Sequence, residues 1–529
     1  MNDFFRDKQG NPMLLLGLQA HNSSTGTPMI DRAIRAVQLY GGNLLEAPIY
    51  WYAIEPRQDV YDMTLLRDLI DKARAAGLKL VVLWFGTSKN GHPNYVPEYI
   101  KLDPATYRIV RGVGGVAMPA LSPHCAATLE RDRKAFCEVM AALRDYDGDE
   151  RTVVAVQIEN EMGIGGTDRD YSDLGEADYA LPVPEEIRGV ALEDTGLPDD
   201  GPGEPTWRGI FGRHAHEAFS AWHHARFINA IAEAGRAIYD IPLTANAWIG
   251  EMGIEEAGVN YPSGGLVGRV LDIWKIAAPA LDLLCPDIYR PAKRDFTRIA
   301  LRYARPDNAL FIPESAPTGV ANALNAIWAV AELGAIGICG FGAENALLAD
   351  GTLNDDARTM AISMKAMAAL APLLIRFRGT GKVHAILQEE FADRQYLRLA
   401  RWHVEAKFIS AGAIRGLSST INMRDPANRW HLEERGRAIL IEAGEDEFFL
   451  AGAGVGLDFT RRPDPQDPNP YATLLSRQAT QLNFLTVEEG HFEGDTWVVD
   501  FIRNGDESNY QLFVHGGQAV RIRLTPAGE

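Results

Sequence analysis

Cysteine is scarce in this chain: four residues in 529, Cys125, Cys137, Cys285 and Cys339, none in CxxC spacing. That excludes a disulfide scaffold and the paired-cysteine metal motifs, and suits reduced thiols. Long apolar runs are missing too, since nothing approaches the roughly 18 consecutive apolar residues of a membrane span. Positive charge is in deficit, 52 Lys and Arg against 71 Asp and Glu, a net −19. With no basic cluster to neutralise phosphates, no nucleic-acid partner is expected. HExxH, GxSxG and P-loop patterns are absent, which leaves metalloprotease, serine acyl-transfer and phosphoryl-transfer chemistry without support. The opening MNDFFRDKQGNP carries both signs of charge and no apolar signal core. A cytoplasmic, unexported chain is the expectation, with the periplasm as alternative if a leader was trimmed.

What is present is an ordinary globular composition, 46% hydrophobic and 23% charged, long enough for more than one core. From residue 13 to about 345, short apolar runs alternate with amphipathic stretches, the pattern of parallel strands with helical crossovers. Eight runs are legible: Met13 to His21, Asn43 to Trp51, Leu78 to Gly86, Thr152 to Glu161, Pro242 to Trp248, Leu281 to Tyr289, Ala309 to Ser315 and Ala335 to Gly342. Right-handed crossovers between eight such strands close into a barrel. The spacing predicts long insertions after strands three and four, and the second is rich in Gly, Pro and Asp, as functional or mobile loops are. After a helical stretch ending near Phe377, the runs KVHAILQ, RAILIEA, DEFFLAGAG, LNFLTVE, TWVVDFI and AVRIRLT predict β-structure. The predicted fold is therefore α/β, a (β/α)8 barrel over residues 1–378 followed by a β-sandwich-like domain over 379–529. Within the latter, GAGVG (Gly452 to Gly456) superficially resembles a phosphate loop, but no helix pattern follows, so a turn or bulge is predicted.

Catalytic groups in such barrels sit at the C-terminal ends of strands. Strand four ends in QIENE, where strict alternation predicts Gln157, Glu159 and Glu161 on one face; strand seven, ALFIPES, delivers Glu314 to its open end. Two carboxylic acids across one cleft are what glycoside cleavage requires. The plainer reading, that each acid pairs with Lys or Arg to close the barrel top, stands beside it. The other strand ends supply Trp84, Trp248, Tyr289 and Phe341 as a sugar-stacking platform, since pyranose C–H faces pack on aromatic rings. They also supply Lys89, Asn90, Asn22 and Asn246 as polar contacts, the last two equally suited to bonding loop backbone. Glu55, ahead of Pro56, reads as a structural brace more than a sugar contact, and Glu344 is an open-end acid without a motif. His214, His216, His223 and His224 fall in one helical stretch without metal spacing and are predicted to pack or face solvent; His124-Cys125 reads as structural. No cofactor or metal is expected.

QIENEMG, with Glu314 ending strand seven, resembles clan A glycoside hydrolases, and NAW (Asn246 to Trp248), LDIW (Leu271 to Trp274), PDIY (Pro286 to Tyr289) and DEFFLAG (Asp446 to Gly452) resemble one bacterial branch of them. The sequence is most similar to family 35, the β-galactosidases, in a bacterial branch with a β-rich C-terminal domain of uncharacterised role; the resemblance covers nearly the whole chain. It implies a retaining double displacement, with Glu161 as acid/base, Glu314 as nucleophile, Asn160 on the sugar 2-hydroxyl and Tyr289 hydrogen-bonded to the nucleophile. It also implies an exo-acting enzyme on β-galactosides or related oligosaccharides, with self-assembly left open. WFGTSKNG (Trp84 to Gly91) departs from that family, offering Lys89 and Asn90 where its members carry an acidic galactose-binding loop. Another β-glycoside specificity, or a catalytically silent sugar-binding protein, therefore stays open as an alternative.

Overall fold

The structure, a computed structural model, describes residues 4–193, 205–250, 255–389, 392–408, 435–462, 484–503 and 512–525. Eight parallel strands alternate with eight principal helices. The strands are β1 (Leu15–Gln19), β2 (Leu44–Tyr50), β3 (Lys79–Lys89), β4 (Val153–Asn160), β5 (Leu243–Trp248), β6 (Leu283–Ile288), β7 in two pieces (Phe311–Ile312 and Glu314–Ser315) and β8 (Gly337–Phe341). The helices that follow them are α1 (Met29–Tyr40), α2 (Thr64–Ala75), α3 (Ala126–Asp147), α4 (Ala215–Arg236), α5 (Leu271–Ala277), α6 (Lys293–Tyr303), α7 (Val320–Ala331) and α8 (Asp355–Ala369). All eight apolar runs of the sequence become strands. Their residues are buried almost throughout, as strands covered on both faces must be.

The barrel closes through β7. Phe311–Ile312 pairs with β8, whereas Glu314–Ser315 pairs with β6, Glu314 lying opposite Asp287. Between them stands Pro313, which has no N–H to give to a ladder. One strand thus hands its hydrogen bonds from one neighbour to the other within five residues. Inside, Leu15, Leu44, Val81, Leu83, Leu283, Cys285, Phe311 and Cys339 form the barrel core. All four cysteines are free thiols.

Helix ends follow local chemistry. Thr27 Oγ1 accepts the Met29 N–H ahead of α1, and Gly41 closes the helix at φ 70° with its N–H turned back to the Gln38 carbonyl. The insertion after β3 holds a hairpin, Ile109–Arg111 with Ala117–Leu121. The one after β4 holds the helix Asp173–Tyr179, capped by Ser172; residues 194–204, part of its Gly-, Pro- and Asp-rich stretch, lie outside the described residues. No single described helix is long and apolar enough to cross a bilayer.

Among the described residues ten antiparallel strands follow: β9 (Val383–Leu387), β10 (Arg394–Arg398), β11 (Trp402–Phe408), β12 (Arg437–Glu442), β13 (Glu447–Ala453), β14 (Val455–Arg461), β15 (Phe484–Glu493), β16 (Thr496–Ile502), β17 (Leu512–Val514) and β18 (Ala519–Leu524). They form a six-stranded sheet, β9-β12-β13-β18-β15-β16, and a four-stranded sheet, β10-β11-β14-β17. A core including Trp402, Val404, Phe448, Leu450, Leu457 and Ile522 lies between the sheets. Gly454, at φ 67°, turns β13 into β14, so GAGVG is a tight strand-to-strand turn.

Over β9, β12 and β13 the outer face of the larger sheet is covered, whereas β16 at its edge is largely exposed. Ile439, Ile441, Phe449 and Ala451 join the same buried cluster as the α7 and α8 side chains. The Arg437 guanidinium, fully buried, donates to Ser363 Oγ and to the Thr359 carbonyl on α8, and Ala385 N–H donates to Glu332 Oε1 at 2.7 Å. Sheet and barrel therefore share one core. Ile441→Ala is expected to cost about 2–5 kcal/mol and to lower the denaturation midpoint of barrel and sheets together. Two separate transitions with an unmoved barrel, followed by tryptophan fluorescence and circular dichroism, would contradict the shared core.

Candidate active site

Strand alternation carries Gln19, Glu46 and Asp287 to the interior side of β1, β2 and β6, above Leu15, Leu44 and Cys285. Glu314 enters from β7 with its carboxylate ringed by donors. Gln19 Nε2 and Asn160 Nδ2 each reach Oε1 at 3.0 Å, Asn246 Nδ2 lies 3.4 Å from the same oxygen, and the Tyr289 hydroxyl donates to Oε2 at 2.8 Å. These donors come from four strands or strand ends, and all present protons to one acceptor. Hydrogen bonds to a charged group contribute roughly 1.5–3 kcal/mol each. Burial, reinforced by the Glu314 charge, pushes the Tyr289 phenol far above its ordinary range, so it remains a donor.

Glu161 follows the end of β4 with φ 46°, and Glu159 has φ 59°. Left-handed backbone is costly for residues with a side chain, and it breaks the alternation expected of QIENE. That expectation is corrected: Glu159 turns away to accept the N–H groups of Thr87 (3.0 Å) and Ser88 (2.7 Å), beside Asp132 on α3. Burial and the Asp132 charge push the Glu159 carboxyl well above the usual range. Gly86 permits this approach, because a Cβ there would lie 2.7 Å from both carboxylates. Asn160 and Glu161 turn inward instead, and the Glu161 N–H is held by Asn246 Oδ1 at 3.0 Å.

Oxygens of Glu161, Asp287 and Glu314 lie within 4.8 Å of one another, all three residues buried. Asp287 was not among the sequence candidates, although the PDIY motif contains it. Burial, then the charges of Glu314 and Glu161, push its carboxyl well above the usual range, and it shares a hydrogen bond with Glu161 while accepting Asn246 Nδ2 at 2.6 Å. Glu161 is itself pushed up to about 7 by burial and by the Glu314 charge, with Lys89 and the Asp287 hydrogen bond opposing. Lys89, buried, donates to Asn160 Oδ1 at 2.6 Å and so fixes which way that amide faces.

The remaining candidates divide. Asn90 sits at φ 55°, its N–H on the Asn160 carbonyl at 3.0 Å. Asn22 just beyond β1, Trp248 ending β5 at 44% exposure and Phe341 ending β8 lie at the open ends of their strands; Phe341 meets His21 edge-on at 5.1 Å. Trp84 does not join the cleft. It is fully buried on the outer side of β3 against Phe136, with Nε1 donating to Asp132 Oδ1 at 2.8 Å, so the stacking role expected of it is corrected to a core role. Glu55 is a brace, accepting Trp51 Nε1 at 2.9 Å and the Arg131 guanidinium. Glu344 accepts the His21 N–H. Of the helical histidines, His216 pairs with Asp168 at 2.6 Å, and His223 packs on His124 and Phe219.

Two groups among the described residues are close enough to share a cation: the three central carboxylates, and His124 with Asp178 and His223. Around the first, amide N–H and phenol O–H protons already face Glu314, an arrangement that suits an acceptor rather than a cation ligand. In the second, His124 Nδ1 bonds Asp178 directly at 2.6 Å. A separate cavity of about 550 Å³ flanks the loop after β4, lined by Met118, Thr167, Asp168, His216, Glu217 and Arg269 among others; it contains none of the three central carboxylates.

Residues 26–182 match the beta-galactosidase model of glycoside hydrolase family 42. This corrects the expectation of family 35, while the glycoside hydrolase segment and the clan A likeness stand. Residues 362–515 match a domain of unknown function, DUF5597, which covers most of the β-rich C-terminal part. Among solved structures, similarity extends to the catalytic domain of a beta-amylase from Paenibacillus polymyxa (14% identity, 66% of this chain and 96% of that one, TM-score 0.48). It extends also to a beta-galactosidase from Bacillus circulans sp. alkalophilus (15%, 69% and 57%, TM-score 0.49) and to the exo-beta-1,4-mannosidase Op5Man5 from Opitutaceae bacterium strain TAV5 (14%, 69% and 61%, TM-score 0.43). The chain thus spans about three fifths of the length of these last two. No curated protein matches the chain.

The placement of Trp84 has a measurable consequence. Trp84→Phe removes the indole donor to Asp132 and is expected to cost about 1–3 kcal/mol in denaturant unfolding, leaving sugar affinity unchanged. Weakened sugar binding at full stability would return Trp84 to the cleft.

Proposed function

We propose that the protein is a retaining glycoside hydrolase, exo-acting on terminal β-galactosides. The observation that carries this reading is the close approach of Glu161 and Glu314, oxygens within 4.8 Å, with Glu314 surrounded by donors. Retaining enzymes hold their two carboxyl groups about 5–5.5 Å apart, whereas inverting ones need about 6.5–9.5 Å to admit a water. The family 42 match supports galactose as the sugar.

In the first step Glu314 attacks the anomeric carbon as the bond to the leaving oxygen breaks, and Glu161 gives that oxygen its proton. In the second, water attacks the same carbon, Glu161 takes the water's proton, and the bond to Glu314 breaks. Asn160, fixed between Lys89 and Glu314, is placed to meet the sugar 2-hydroxyl; Asn246 ties the Glu161 backbone to the same centre.

A panel of nitrophenyl β-glycosides, with product stereochemistry followed by NMR, tests the reading. β-Galactoside turnover with retained configuration is expected; inverted product, or no turnover of any sugar, would sink it. Glu314→Gly should fall by several orders of magnitude and recover with azide as a glycosyl azide of inverted configuration.

The pH dependence follows from Glu161, which must be protonated for the first step. With its carboxyl pushed up to about 7, kcat/KM falls as pH rises through that value. The Lys89 charge opposes the rise, so Lys89→Met moves the alkaline limb to higher pH while lowering kcat/KM. A limb that stays put or moves down contradicts the assignment of Glu161 as the acid.

A further inference from the structure

Beside Glu314 the barrel interior holds buried acceptors on adjoining strands. Gln19 and Glu46 are register partners on β1 and β2, both fully buried and both on the interior side. Gln19 Nε2 donates to Glu314 Oε1 at 3.0 Å, but Gln19 Oε1 has no hydrogen-bond partner among the described residues, and the Glu46 carboxyl meets no N–H or O–H donor there, only the Cys339 thiol. Buried polar atoms are rarely left so. Two acceptor groups side by side are reconciled by a proton between them, and the acid form of Glu46 supplies one. Burial and the Glu314 charge push the Glu46 carboxyl well above the usual range, with the Cys339 thiol pulling the other way.

We propose that Glu46 is a positioning residue, donating its carboxyl proton to the Gln19 side-chain carbonyl oxygen and thereby fixing the Gln19 amide with its N–H toward Glu314. A glutamine amide can exchange the places of its oxygen and nitrogen. Opposite an ionised Glu46 the amide would gain by presenting its N–H there, which turns its carbonyl oxygen onto Glu314 and replaces a donor by a repelling acceptor. The proton on Glu46 selects the orientation that the nucleophile uses. This role rests on Glu314 being the nucleophile; the proton itself does not.

The test compares Glu46→Gln with Glu46→Leu in the full chain. Glutamine retains an N–H donor toward Gln19, whereas leucine fills the space without one. Glu46→Gln is expected to keep kcat within a few fold of wild type. Glu46→Leu should lose up to about a hundredfold in kcat with KM little changed, the scale of a misplaced reacting group. Independently, the wild-type minus Glu46→Gln infrared difference spectrum at neutral pH should contain a protonated-carboxyl stretch. Full kcat in a folded Glu46→Leu, a Glu46→Gln as impaired as Glu46→Leu, or absence of that stretch each overturns the proposal. If Glu46→Leu does not fold, the infrared band decides. If wild type cleaves no β-glycoside, the catalytic reading fails while the band still reports whether Glu46 holds its proton.

Discussion

Everything at the open end of this barrel is arranged around one buried carboxylate, Glu314, and the donors it gathers. Gln19, Asn160, Asn246 and Tyr289 reach it from the ends of β1, β4, β5 and β6. An unscreened buried charge is expensive, so the carboxylate requires these donors as much as it orients them. Their other ends propagate the constraint outward. Asn160 is fixed by Lys89, while Asn246 ties down Asp287 and the strained backbone of Glu161. Asp287 and Glu46, close by in the same low-dielectric interior, are driven toward their neutral forms by burial and by that charge. One ionised acid among several neutral ones is how a group of carboxyls can be packed together at neutral pH.

The strands were legible in the sequence because strands buried on both faces spell continuous apolar runs, and β3 and β8 do so plainly. The acids at the ends of β4 and β7 were legible for the same reason, since polar residues interrupt those runs. Alternation failed at Glu159 because a period of two presumes extended backbone, and no residue type in QIENE announces two left-handed glutamates. Trp84 was misplaced because a strand-end aromatic looks alike whether it faces cleft or helix; Asp132, 48 residues away, decides the matter. Asp287 and Glu46 had a signal that went unread. Each is a carboxylate within an apolar strand, at even spacing from interior residues, where a charge has no place without a purpose.

The antiparallel part shows a different limit. The six strands of its larger sheet and the GAGVG turn could be read from composition and spacing, but the four strands of the smaller sheet were not among the runs identified, and the docking of the six-stranded sheet on α7 and α8 could not be read at all. Alternation tells that Ile439 and Ile441 share one face and Leu440 takes the other; it does not tell that both faces are covered. The buried Arg437, meeting Ser363 Oγ and the Thr359 carbonyl of α8, marks that second interface, and long-range pairings of this kind leave no local trace.

The break in β7 bears on how the barrel's circumference is controlled. Pro313 makes this strand the seam at which the hydrogen-bond ladder of β8 ends and that of β6 begins, and Glu314 is the first residue past the seam. A slip in the closure of the cylinder would therefore be absorbed first at the residue whose distance from Glu161 matters most. Placing that residue on the joint rather than on a continuous strand makes the spacing of the two acids a property of the whole ring. Residues on the far side, such as those pairing β2 with β3, are thereby coupled to the site through the perimeter.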